Sequence, residues 1–158
     1  MTDIRAIADG DRSWVAGVLA EQWGSPQIVT RGRVHEAAAL PGFIAVIDAV
    51  PCGVITYRIE DGECEVVSLN SLAEGRGAGT ALLAAVREAA RLAGCRRVWL
   101  VTTNDNLAAV RFYQKRGFRL AALYPGAIDC SRRLKPSIPE TGIDGIPIRD
   151  EIELELPL

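Results

Sequence analysis

Three glycines fall within five positions in Glu74-Gly75-Arg76-Gly77-Ala78-Gly79-Thr80, just before an Ala/Leu-rich run that opens at Ala81. Glycine lets a backbone come close to a ligand. The first N–H groups of a helix point outward with the positive end of the helix dipole behind them, so a turn of this kind entering a helix suits an anion such as phosphate. A mononucleotide P-loop would need G-x-x-x-x-G-K followed by Ser or Thr, and no lysine follows these glycines. A dinucleotide turn would need G-x-G-x-x-G early in the chain, with an acidic residue ~20 positions later. The spacing here is G-x-G-x-G. The remaining structural reading is a glycine turn that starts a helix and binds nothing.

Asn106 and Tyr113 are seven residues apart, two helical turns, and so lie on nearly the same helix face. Glu63 and Glu65 sit in a run of strand-forming residues, where Val66 and Val67 would partly desolvate a neighbouring carboxylate and raise its pKa. Each also has a plainer reading: a core aromatic for Tyr113, a rim carboxylate paired with arginine for Glu65. Cys64 has no histidine to activate it, because His35 is the one histidine and reads as a surface or helix-cap residue. Cys52, Cys64, Cys95 and Cys130 form no C-x-x-C pair, so neither a metal site nor a disulfide framework is expected.

Several elements must position these residues. Residues 4–7 read as a strand. Asp9-Gly10-Asp11 then offers capping side chains to a helix over 11–22, marked by Trp14, Val15, Val18 and Leu19 and broken at Trp23-Gly24-Ser25-Pro26. A short helix is predicted around 34–40, ending at Pro41-Gly42. Residues 43–47, 53–59 and 64–69 form a three-strand antiparallel meander, divided by Ala49-Val50-Pro51 and Asp61-Gly62. A helix over 78–93, with Ala81, Leu82, Ala85, Ala89 and Leu92 as its apolar stripe, stops at Gly94. A buried strand over 98–102, a helix over 107–116 and a strand over 118–124 follow. A long loop over 125–149 leads to a last strand, where Ile152, Leu154 and Leu156 alternate with Glu151, Glu153 and Glu155 and predict one wet face. The order argues for an α/β fold with a mixed sheet in a single domain over 1–158.

Eighteen Lys and Arg against 20 Asp and Glu give a formal charge of -2, so no bulk basic field draws nucleic acid or an anionic membrane, and neither partner is expected. The apolar runs fall far short of the ~20 residues of a spanning helix. Met1-Thr2-Asp3-Ile4-Arg5 has neither the basic start nor the apolar core of an export signal, and a cytoplasmic location is expected.

Gly77-x-Gly79 before an Ala/Leu-rich helix resembles the R/Q-x-x-G-x-G/A signature of the GNAT superfamily of acetyl-CoA-dependent N-acetyltransferases. Asn106-Leu107-Ala108-Ala109-Val110-Arg111-Phe112-Tyr113-Gln114-Lys115-Arg116-Gly117-Phe118 resembles its N-x-x-A-x-x-x-Y-x-x-x-G-F segment. The resemblance covers about residues 43–124, and the stretch from Leu134-Lys135-Pro136 to Glu151 is similar to the tail of a bacterial subgroup of unstated substrate. It implies a GNAT fold, a mixed, mostly antiparallel sheet of about seven strands with about four helices. It also implies acetyl transfer from acetyl-CoA to a primary amine on a small molecule or peptide, by direct attack in a ternary complex, with no metal.

The resemblance assigns roles residue by residue. Glu74, Gly75, Arg76, Gly77, Ala78, Gly79 and Thr80 would cradle the coenzyme's pyrophosphate. Leu69 and then Ser71 would offer backbone donors to pantetheine and the thioester carbonyl, Asn106 would pair with pantetheine amides, and Tyr113 would protonate the leaving thiolate. Glu65, with Glu63 or water as alternatives, would be the general base. Glu74 departs from the usual Arg or Gln, so it is expected to turn outward while Arg76 supplies the positive charge. For the acceptor, Trp14, Trp23 and Ser25 are candidate wall residues, Asn70 is a candidate for orienting water or substrate, and Arg132, Arg133 and Lys135 are candidate cations on a lid over 125–149. Rival readings are a non-catalytic acyl-CoA sensor or partner subunit, transfer of a longer acyl group, and a nucleotide-binding module. Dimerisation is common in the superfamily, and the last strand is a candidate edge for it.

Overall fold

A computed structural model describes residues 2–158. Its elements are β1 (Thr2–Ala6), α1 (Arg12–Trp23), β2 (Gln27–Thr30), β3 (Arg33–Glu36), β4 (Gly42–Ile47), β5 (Val50–Glu60), β6 (Glu63–Ser71), α2 (Ala78–Leu92), β7 (Arg97–Thr103), α3 (Leu107–Gln114), β8 (Arg119–Tyr124), α4 (Ala127–Leu134) and β9 (Glu151–Pro157). Seven strands are hydrogen-bonded in the order β1-β4-β5-β6-β7-β9-β8, and β2 pairs with β3 in a separate ribbon. The expected α/β class, with a mostly antiparallel sheet of seven strands and four helices, is what forms. The chain packs as two compact units: one of residues up to 28 with 36–98 and 158, the other of 29–35 and 99–157.

In the first unit, β1, β4, β5 and β6 form consecutive antiparallel pairs. Two-residue turns join β4 to β5 at Asp48-Ala49 and β5 to β6 at Asp61-Gly62, all four residues having positive φ. Turns of that mirror-image type match the twist of the strands they connect. The first turn lies two residues before the Pro51 end of the predicted break, because Val50 and Pro51 are already paired with Ile47 and Val46. Val15, Val18 and Leu19 of α1 pack with Ile28, Ala37, Ile44, Val54 and Val67 in one apolar cluster. α2 buries Leu82, Leu83, Val86 and Ala90, while Leu92 is exposed. The stripe predicted through Ala81, Ala85 and Ala89 is therefore rotated. With Ala or Leu at most positions, it is the bulkier Leu83 and Val86 that set which side is buried.

The second unit holds α3, α4, β8, β9 and the β2–β3 turn. The segment predicted as a long loop contains α4, and hydrogen bonds to its backbone order the rest. Asn104 Oδ1 accepts from the amides of Arg149 and Asp150 at 2.9 and 3.0 Å, Asn104 Nδ2 donates to the Pro147 carbonyl, and Asp105 accepts from the Ile143 amide at 3.0 Å. Arg132 donates to the carbonyls of Pro139 and Ile148, each at 2.8 Å. Polar side chains so far away in sequence give no periodic signal.

Three further expectations are corrected. The short helix around 34–40 is strand β3 followed by a single 3-10 turn at Ala37–Ala39, because the positive φ of Arg31 and Gly32 turns the chain back onto β2. His35 is buried rather than at the surface, its Nε2 2.7 Å from Thr30 Oγ1 across that ribbon. The last strand does not have one wet face and is not an edge: Glu151 and Glu153 are buried, and β9 lies between β7 and β8.

Two outcomes follow from this packing. A Cβ on Gly42 would meet the Ile55 carbonyl oxygen at 2.0 Å, a backbone atom of the neighbouring strand that cannot swing away. Gly42→Ala should therefore cost about 2 kcal/mol or more, read as a lower urea midpoint. Cys52, Cys64 and Cys95 are buried and Cys130 is exposed, and burial pushes the Cys64 thiol up to about 12. A disulfide reagent at pH 8 should therefore titrate one thiol quickly in the native protein and all four after denaturation, and Cys130→Ser should remove the fast one.

Candidate functional site

The glycine turn behaves as its composition predicts. Gly75 and Gly77 have φ of 74° and 77°, a region open to glycine at no steric cost, and Gly77 is the residue from which α2 starts. As the N-cap residue, Gly77 has no side chain with which to cap that helix start. Ala81 N–H bonds back to the Gly77 carbonyl, and the amides before it have no carbonyl one turn earlier within the helix. Among the described residues, a Cβ built on Gly75 or Gly77 would meet no atom within 4 Å, so they leave room beside both. Glu74, Gly75, Arg76, Gly77 and Thr80 are exposed, Gly79 is half-buried and Ala78 is buried against the sheet. The turn is tied to the first strand by Thr2 Oγ1, which donates to the Arg76 carbonyl.

β6 leads into this turn and contains a bulge. Its register with β5 passes from Thr56↔Ser68 to Tyr57↔Val66, so Val67 is the extra residue, and it enters the apolar cluster beneath α1. A bulge reorients the side chains on either side of it. Glu65 is buried opposite Arg58, whose guanidinium lies 3.3 Å from its carboxylate. Burial works against the Arg58 charge, and Glu60 and Glu65 more than restore it. Glu63 pairs with Arg97. Toward the end of β6, Leu69 and Asn70 are half-buried and Ser71 is exposed, its hydroxyl bonded to the Ala73 carbonyl.

Asn106 starts α3, its Oδ1 accepting from the Ala109 amide at 3.2 Å. Tyr113 is buried two turns along the same helix, with its ring edge-on to Phe112 and Phe118 at 5.1 and 5.3 Å between centroids. Burial pushes the phenol pKa up, with Arg116 opposing, so the hydroxyl holds its proton well past neutrality. Such a group can donate a proton but cannot serve as a base.

Among the acceptor-side candidates, Trp23 and Asn70 are brought together: the indole Nε1 donates to Asn70 Oδ1 at 3.0 Å, and Trp23 is partly exposed. Trp14 packs instead against the apolar cluster, and Ser25 accepts from the Gln27 amide. The Arg132 guanidinium faces loop carbonyls, whereas Arg133 is exposed.

The pairing of Glu65 with an arginine is the plainer reading given above, though the carboxylate is buried and not at a rim, and the rest of two polar clusters was not anticipated. Thr56 and Ser68 share a hydrogen bond inside the sheet, beside Arg58 and Glu65 on the same face. In the second unit, Glu151, Glu153, Tyr124 and Arg31 gather around the β2–β3 turn. Each is a single polar residue in an otherwise apolar or alternating run, and the composition of such a run does not say which face is covered.

Comparison with known proteins agrees with this geometry. Residues 12–118 match the family described as Acetyltransferase (GNAT) family. The uncharacterized protein YdhI of Bacillus subtilis (strain 168) is 48% identical over 135 residues, covering 85% of this chain and 84% of that protein. An IAA acetyltransferase from Bacillus cereus ATCC 14579 superposes with a TM-score of 0.72 at 20% identity over the whole of both chains. A Bacillus subtilis acetyltransferase solved in complex with CoA gives 0.70 at 18% identity, covering 100% of this chain and 99% of that one. An uncapped glycine turn entering a helix, on a sheet of this strand order, and a family match over more than half of its length lead to one conclusion: the chain belongs to the acetyltransferase (GNAT) family.

Proposed function

We propose that the protein transfers the acetyl group of acetyl-CoA to a primary amine by direct attack in a ternary complex. The observation that carries this reading is the start of α2, where left-handed Gly75 and Gly77 leave an uncapped helix end beside open room. A pyrophosphate fits there on charge and on hydrogen-bonding grounds. The family match and the neighbour solved with CoA support the choice of coenzyme. The cradle is Gly75 to Thr80, with Arg76 adding positive charge beside exposed Glu74. Asn106, with its Oδ1 committed to capping α3, offers its Nδ2 to a pantetheine carbonyl.

In the proposed reaction the neutral amine nitrogen attacks the thioester carbon, and the carbonyl oxygen becomes an oxyanion held by the Leu69 amide, with Ser71 as the alternative donor. The C–S bond then breaks. Tyr113 gives its proton to the departing thiolate, which suits a buried phenol that stays protonated. The proton lost by the amine goes to Glu65, directly or through water. Trp23 and Asn70, joined by their hydrogen bond, form a wall of the acceptor site.

The second reading, a non-catalytic acyl-CoA sensor, draws support from the Arg58 guanidinium beside Glu65, which already engages the carboxylate in an ion pair. Incubation with acetyl-CoA and a panel of primary amines separates the two. Release of free thiol that depends on the amine supports transfer, and coenzyme binding without release supports the sensor. Under the transfer reading, Tyr113→Phe should lower kcat by about 100-fold or more, with little change in the KM for acetyl-CoA. An unchanged kcat would remove Tyr113 as the acid. Because the phenol pKa is raised from 10.0, Tyr113 should cause no alkaline fall in kcat below pH 10.

A further inference from the structure

The turn between β2 and β3 is two residues long, with φ of 49° at Arg31 and 72° at Gly32. The left-handed region costs a residue with a side chain roughly 1 kcal/mol relative to glycine. A two-residue mirror-image turn needs positive φ at both positions, and Arg31 takes the first of them with a long side chain at the tip. Here that side chain reaches Tyr124, with the guanidinium carbon 3.3 Å from the ring centroid, squarely over its face. The guanidinium also lies 3.7 Å from Glu151, too far for a hydrogen bond, while the Arg31 backbone amide donates to Glu151 Oε2 at 3.2 Å.

The walls around this cation come from the paired strands β8 and β9. Tyr124 is register partner to Glu151 and Ala122 to Glu153, so the ring and both carboxylates share one face. Glu151 and Glu153 are 3% and 8% exposed, a degree of burial that carboxylates seldom reach without partners. The Tyr124 hydroxyl donates to Glu153 Oε1 at 2.9 Å, which fixes the ring with its face turned to the guanidinium. An aromatic face flanked by carboxylates is the chemistry that recognises an organic cation. The Arg31 side chain is 39% exposed and sits at the tip of a two-residue turn, so it can leave without disturbing the strands.

We propose that Tyr124, Glu151 and Glu153 form a binding site for a primary alkylammonium or guanidinium ligand, and that Arg31 occupies it as an internal stand-in until such a ligand displaces it. The proposal does not depend on acetyl transfer, because binding is measured without coenzyme.

Arg31→Gly is the informative variant. Glycine adopts the left-handed turn freely and keeps the backbone amide on Glu151, so the guanidinium goes while the fold stays, as a thermal melt will verify. Putrescine binding is then measured by calorimetry at fixed salt for the natural chain, for Arg31→Gly, and for Arg31→Gly combined with Glu153→Gln or with Tyr124→Leu. The expected result is at least about tenfold tighter binding by Arg31→Gly than by the natural chain, with most of the gain lost in both double variants. 1-Butanol, uncharged, should not bind. If Arg31→Gly binds putrescine no more tightly than the natural chain, or if the double variants keep the gain, the site is a structural ion pair and the proposal falls. Should the double variants melt early, Arg31→Lys serves as the second test. It keeps a cation over Tyr124, so it should bind putrescine as weakly as the natural chain, and tight binding by it would also overturn the assignment.

Discussion

A helix cannot begin without amides that have no carbonyl behind them, and most helices satisfy one or more with a side chain at the start. At α2 that route is closed, because the starting residue is Gly77 and the residue two positions earlier is Gly75, both left-handed. The amides are held at a fixed place by a helix whose other side is locked into the sheet through Leu82, Leu83 and Val86. The glycines keep the approach open and the core keeps the donors rigid. The proposed use of this turn for a pyrophosphate needs both conditions. A mobile turn would have to be ordered on each binding event, and a side chain at Gly77 would stand in the path of the ligand.

The strand before the turn solves a different problem. A regular β6 would alternate strictly, and Val67 would then compete with its neighbours for the side facing α1. The bulge adds one residue and lets Val67 join Val54 and Ile44 in the core, while Ser68 faces Thr56 and Glu65 faces Arg58. Polar groups in a low-dielectric interior are stable only when paired, so these contacts come as a ladder across two strands. The same logic governs the second unit, where two glutamates on β9 are buried against Tyr124 and Arg31. Most of the buried polar groups, Thr30, His35, Thr56, Glu65, Ser68, Glu151 and Glu153, are carried on strands, which gives them fixed directions, while Asp105 lies in a turn and Ser131 on α4.

The segment 125–150 shows how far a few polar contacts can reach. Asn104 and Asp105, adjacent in sequence, bind the backbone at residues 143, 147, 149 and 150, and Arg132 closes the same stretch from within α4. A stretch with many proline and glycine residues becomes ordered because its otherwise unpaired carbonyls and amides find side-chain partners. Gly142 fits this arrangement closely, since a Cβ there would lie 2.1 Å from the Asp105 carboxylate.

Local chemistry by itself determined much of this protein. The glycine spacing at 75, 77 and 79, the hairpin turn at Asp61-Gly62, the β-branched strands and the helix stop at Gly117 each depend on φ/ψ preference or side-chain periodicity within a few residues, and all are legible in the linear chain. The tertiary structure alone decided what covers each face. It made β3 from a stretch that read as helix, placed β9 inside the sheet, and buried His35, Glu151 and Glu153, which composition assigns to water. The physical reason is that burial is set by whatever packs against a residue from elsewhere in the chain, and a turn as distant in sequence as Arg31 leaves no mark in the alternation of β9.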